Sequence, residues 1–290
     1  MSDNESDLPQ AVPEEDRPAG IGRPAGDRVS DEADRPAVLA SPRQTPFFPE
    51  RLEHVPPPRA DVFWGWHDLF LFVLIALVVL VGITVPAAIG ISSLLHISEP
   101  HRNMVLVVAQ FAGYGMAFSA LKLMFRAEYG APLLRSLHWQ ASPIDPLRLA
   151  LIGLGQAFAI AILGTFMRIP EIESPMSRLL SDRPTAIVIA VLGVTVVPLA
   201  EELAFRGLMQ PLLIRSIGVV PGIVITSAVF GVMHLEQYRV WQSAALIALA
   251  GAGFGVMRHW SGSTRASAIM HAGYNSALFL LFFSQKGTHV

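Results

Sequence analysis

Residues 196–209 read VVPLAEELAFRGLM, which sets Glu201, Glu202 and Arg206 directly behind a strongly apolar run. Ionisable side chains inside such a run are costly, about 2.5–3.5 kcal/mol each on insertion scales, and mark functional positions by default. Glu202 and Arg206 stand four residues apart, one helical turn, and can form an ion pair. Glu201, about 100° round the helix, then faces elsewhere. Two later apolar runs carry further polar groups: FGVMH puts Phe230 and His234 one turn apart, and HAGYN puts His271 and Asn275 on one face. A carboxylate, two imidazoles and an amide from three separate segments can do one of three things. They can activate water for hydrolysis, bind a catalytic zinc through Glu201, His234 and His271, or relay protons in a transporter.

The elements that must position these groups are membrane helices. About 20 apolar residues cross the hydrocarbon layer, and runs near that length follow one another from residue 66 onward. Seven spans are expected, at Leu69–Gly90, Met104–Phe125, Leu149–Met167, Thr185–Leu213, Ile217–Leu235, Ser243–Met257 and Ala266–Phe283. Trp64 and Trp66 suit an interfacial aromatic belt at the entry to the first. Ser181 and Asp182 offer caps to the fourth, with Pro184 in its first turn. The sixth is short and rich in small residues, and its Gly251 and Gly255 predict close helix packing. His67, Asp68 and Lys122 lie near helix ends and are expected to snorkel to the interface. The fold class expected is all-α, a polytopic membrane helix bundle with a disordered tail. The spans place His234 late in its helix and His271 early in its own, which predicts a difference in depth that tilt or offset must remove.

Composition divides the 290-residue chain. Residues 1–60 hold 12 of 23 acidic groups, 7 of 21 basic groups and 11 of 22 prolines. A segment so poor in apolar residues cannot offset its ordering entropy, so residues 1–60 read as a disordered tail and 61–290 as the membrane domain. The remaining charge is sparse and nearly balanced, which gives no case for nucleic acid as a partner. The acidic start has no apolar h-region, so no cleavable signal peptide is expected. Cysteine is absent, which excludes disulfides, thiol nucleophiles and Cys-ligated metals. Arginine and lysine divide eight to six between the two sides of a seven-span topology, leaning to a cytoplasmic N-terminus.

The three polar motifs, EELAFR, FGVMH and HAGYN, resemble the EExxxR, FxxxH and HxxxN motifs of the CAAX-type (CPBP) intramembrane endopeptidases. That group covers type II CAAX prenyl proteases and bacteriocin-processing and abortive-infection proteins. The motifs occur in the family's order on successive hydrophobic segments, with a core at residues 185–285. The resemblance implies that Glu201 and His234 activate water and that His271 and Asn275 stabilise the oxyanion. It assigns Glu202 and Arg206, with Phe230 beside them, supporting roles. It also implies a lipid bilayer and a membrane-associated protein or peptide substrate as partners.

Two catalytic types stay open within that resemblance. No HExxH occurs and Asn275 is a poor fourth ligand, so a metal-free glutamate mechanism is favoured over zinc held by Glu201, His234 and His271. Outside peptidase activity, a catalytically silent immunity or scaffold member would be expected to lose motif residues. A proton-coupled transporter would be expected to show internal duplication. The sequence shows neither. Its arginine, alanine and proline bias points to a bacterial plasma membrane.

Overall fold

Apolar side chains cover the outside of the molecule and polar ones lie within it, the reverse of a water-soluble bundle. The structure, a computed structural model, describes residues 62–170 and 172–287. The tail assigned to residues 1–60 lies outside the described residues. Seven long helices follow in order: α1 (Trp66–Leu94), α2 (Glu99–Tyr129), α3 (Pro146–Phe166), α4 (Arg183–Ile217), α5 (Val219–Met233), α6 (Trp241–Ser261) and α7 (Thr264–Gly287). Short helical turns at Leu133–Ser136, Pro175–Leu179 and Leu235–Tyr238 join them. Leu94, Phe166 and Val220 are each more than 70% exposed on the perimeter, whereas Glu202, Arg206 and Thr226 are fully buried. Helices suit this setting because they satisfy their own backbone hydrogen bonds where no water can.

Among the described residues six helices are long and apolar enough to cross a membrane, α5 counting together with the turn that follows it (Val219–Tyr238) and α6 not among them. The sixth expected span does fall on a 21-residue helix, but glycine, alanine, Arg258 and His259 dilute its hydropathy. What α6 gains is close approach. A Cβ on Gly251 would stand 2.9 Å from both Arg206 and Phe230, and one on Gly255 would stand 2.8 Å from Gln210.

Helix starts follow local chemistry. Asp145 caps α3 by accepting from the backbone N–H groups of Leu147 and Arg148. Asp182 caps α4, accepting from the Thr185 N–H at 3.0 Å and its hydroxyl at 2.5 Å. Those hydrogen bonds hold the Asp182 carboxyl below the usual carboxylate range. Asp68 corrects the snorkelling expectation. It is 1% exposed, because its carboxylate accepts from the Gly65 N–H at 2.7 Å and the Tyr129 hydroxyl at 2.8 Å.

Two hairpins set the levels of the helices. Gly218 (φ 93°) turns α4 into α5, and Gly262 (φ 67°) turns α6 into α7. Positive φ is open to glycine at no steric cost. α7 then packs against α3 with almost no space between the backbones. A Cβ on Gly153 would lie 1.8 Å from the Met270 carbonyl oxygen, and one on Gly273 would lie 2.2 Å from that of Ala150.

This contact predicts that Gly273→Ala lowers stability by about 1–3 kcal/mol, the usual cost of overpacking. Gly155→Ala, on the open face of α3, should leave stability unchanged or gain the ~0.5–1 kcal/mol expected of alanine in a helix. Thermal unfolding of the two variants in one detergent checks the difference.

Candidate active site

The polar residues converge where α4 loses regular winding. Pro198 sits inside α4 and cannot donate to the helix ladder. Just beyond Glu202 the helix turns π-helical over Leu203–Met209, a distortion frequent at functional sites. Glu201 and Glu202 occupy the last α-helical turn between these two features and diverge from each other.

Glu202 points into the protein and is fully buried with Arg206. Its Oε1 lies 3.1 Å from Arg206 Nη1 and accepts from His271 Nδ1, also at 3.1 Å. Arg206 Nη2 donates to the Gly251 carbonyl at 2.8 Å, and its guanidinium lies 4.5 Å from the centre of the Phe230 ring and 5.5 Å from that of Phe254. Cation–π contacts of this kind gain strength when desolvated. His271 is therefore engaged by Glu202 and stacked on Phe254, with 4.4 Å between ring centres. It is not the unpaired imidazole its sequence context suggests.

Glu201 points the other way, into a cavity of about 650 Å³. Its Oε1 stands 3.7 Å from His234 Nε2 and its Oε2 stands 3.8 Å from His271 Nε2. Oε2 has no hydrogen-bond partner among the described residues. His234 Nδ1 lies 2.7 Å from the Phe230 carbonyl and donates to it, which turns Nε2 towards Glu201. Asn275 Nδ2 donates to the Gly193 carbonyl at 2.7 Å, so one amide hydrogen is spent tying α7 to α4. Asn275 lines the same cavity as Glu201, His234 and His271.

The expected difference in depth between the histidines does not arise. Gly218 lies midway in sequence between Glu201 and His234, so the α4–α5 hairpin returns His234 to the level of Glu201. Gly262 lies midway between Phe254 and His271 in the same way, which levels that stacked pair. Phe254, Tyr114 and Tyr238 also line the cavity and carry no motif signal. Only the symmetry of GAGFG and HAGYN about Gly262 could have pointed to Phe254.

To hold a zinc ion, Glu201, His234 and His271 would have to draw closer together. Among the described residues, the group whose ligand atoms lie within 4.8 Å of one another is His67, Asp68 and Glu128. Glu201, His234 and His271 do not meet that spacing. Three ligands on one tetrahedral zinc stand roughly 3.4 Å apart, given bonds near 2.1 Å.

Removing the guanidinium should cost more than activity. Arg206→Ala leaves Glu202 buried without its cation, a change worth about 3–5 kcal/mol. We expect low accumulation and a reduced melting temperature in detergent. Wild-type stability for Arg206→Ala would show that the pair carries no such weight.

A family model described as Type II CAAX prenyl endopeptidase Rce1-like matches residues 183–277. The match opens at the first residue of α4 and closes in α7 just beyond Asn275, so it contains all three polar motifs of this site, though not cavity-lining residues such as Tyr114. No curated protein matches the chain, and no solved structure does. Through residues 183–277, about a third of the chain, the protein is similar to the type II CAAX prenyl endopeptidases.

Proposed function

We propose that the protein is an intramembrane endopeptidase that hydrolyses a peptide bond in a membrane-associated protein or peptide, using water activated by Glu201 and His234. The carrying observation is the division of labour between adjacent carboxylates. Glu202 Oε1 is engaged by Arg206 and His271 deep in the bundle, while Glu201 faces the cavity between two imidazoles; the second oxygen of each carboxylate has no hydrogen-bond partner among the described residues. A carboxylate so placed, with a cavity before it and an imidazole on either side, calls for a role.

A water between Glu201 Oε1 and His234 Nε2 donates one hydrogen to each, a bridge suited to their 3.7 Å separation. As its oxygen attacks the scissile carbonyl carbon, a C–O bond forms and the proton passes to Glu201. The oxyanion is met by the free amide hydrogen of Asn275 and by His271 Nε2. His271 can donate from Nε2 only as the imidazolium, since Nδ1–H is given to Glu202. Collapse breaks the C–N bond, and Glu201 returns its proton to the departing amine. No step passes through a metal. We place the protein in a bacterial plasma membrane, on its residue bias.

Loss of the base should be absolute in effect. Glu201→Gln, isosteric and well folded, should show no turnover of a substrate found by comparing membrane proteomes of wild-type and Glu201→Ala cells. Retention of a tenth of the wild-type rate would rule Glu201 out as the base.

Asn275→Ala should lower kcat by roughly 10²–10³-fold, as loss of one oxyanion donor does, with KM little changed. Activity should persist after dialysis against a strong chelator. Loss on chelation with recovery on added zinc would overturn the metal-free mechanism.

A further inference from the structure

Asp68, in the first turn of α1, is a buried carboxylate with only one of its oxygens used. Oδ2 accepts from the Gly65 N–H and from the Tyr129 hydroxyl. Oδ1 is as thoroughly enclosed and has no hydrogen-bond partner among the described residues. A buried polar atom left unsatisfied typically costs about 1–3 kcal/mol, more when it is charged. Nothing in the proposed peptidase chemistry uses this residue, which lies on the α1–α2 pair outside the matched segment.

Around the Asp68 carboxylate stands a ligand set. His67 Nδ1 is 3.5 Å from Oδ1, too long for a strong hydrogen bond. Glu128, in the last turn of α2, brings a second carboxylate. One ligand atom from each of the three residues lies within 4.8 Å of the others. Asp68 is buried while His67 and Glu128 are exposed, so a fixed inner ligand is met by two adjustable ones from the aqueous side. An imidazole nitrogen with two carboxylate oxygens suits zinc and similar divalent ions. A protonated His67 alone would supply a single charge for two carboxylates.

We infer that His67, Asp68 and Glu128 form a binding site for a divalent cation of the zinc class, joining the start of α1 to the end of α2. The neighbouring chain shows what such an ion would hold. Trp64 Nε1 donates to the Leu208 carbonyl in the π-helical part of α4 at 3.1 Å. Arg215, near the end of α4, donates to the carbonyls of Val62 and Trp64. The cation therefore clamps the entry strap of α1 where that strap also grips α4.

The test uses the full chain in detergent, stripped with chelator and titrated with zinc chloride by calorimetry. Metal content is then measured after desalting. Wild type should bind a single zinc, with a rise in melting temperature. His67→Ala and Glu128→Gln, both at exposed positions, should match the metal-free wild type in melting temperature but lose the zinc and its stabilisation. A Glu201→Gln/His234→Ala double variant should keep both. Zinc binding by His67→Ala equal to wild type would overturn the site, as would no zinc binding by wild type. Loss of zinc from the Glu201/His234 variant alone would assign the metal to the cavity instead.

Discussion

A guanidinium with no access to water governs this bundle. Arg206 can be neutralised only by what the fold brings to it: Glu202 one turn earlier, the Gly251 carbonyl of α6, and the rings of Phe230 and Phe254. The partners come from three helices, α4 itself, α5 and α6, and His271 adds α7 through Glu202. A buried pair like this is not in itself a large source of stability, because desolvation offsets most of its Coulombic gain. Its effect is selective. Alternative packings of the same helices would strand a charge in hydrocarbon, so the pair penalises them and leaves one arrangement.

That selectivity is what lets two neighbouring carboxylates differ so sharply. Glu201 and Glu202 share a backbone environment, yet about 100° of helix rotation separates a wall of aromatic rings from an open cavity. The buried member holds His271 in place, and its half-buried neighbour faces the cavity. The cost of desolvating Glu202 is thus turned to positioning, with the imidazole oriented by its carboxylate.

The sequence made part of this legible. The spacing of Glu202 and Arg206 is enough to pair them, and the same spacing turns Glu201 away. The seven apolar runs fall on the seven long helices, although α6 is less apolar than a usual span because its small residues serve contact. Other features depend on tertiary geometry that local spacing does not encode. Asp68 sits near a helix end, and only the arrival of Tyr129 from α2 buries it. Asn275 reads as a free amide until α4 brings the Gly193 carbonyl to it. Phe254 looks like one more apolar residue among glycines until the turn at Gly262 lays it on His271.

The two glycine hairpins carry a consequence for how this chain can vary. His234 meets Glu201 because the arms on either side of Gly218 are of matched length. Inserting or deleting one residue in either arm would rotate everything beyond it by about 100° and shift it about 1.5 Å along the axis. His234 would then face lipid or a neighbouring helix. The number of residues between the two groups is therefore a tighter constraint than the identity of most side chains along the arms. The loops at residues 130–145 and 167–182 set no such phase. Related chains that keep this geometry are expected to differ in those loops and to agree, to the residue, in the interval from 201 to 234.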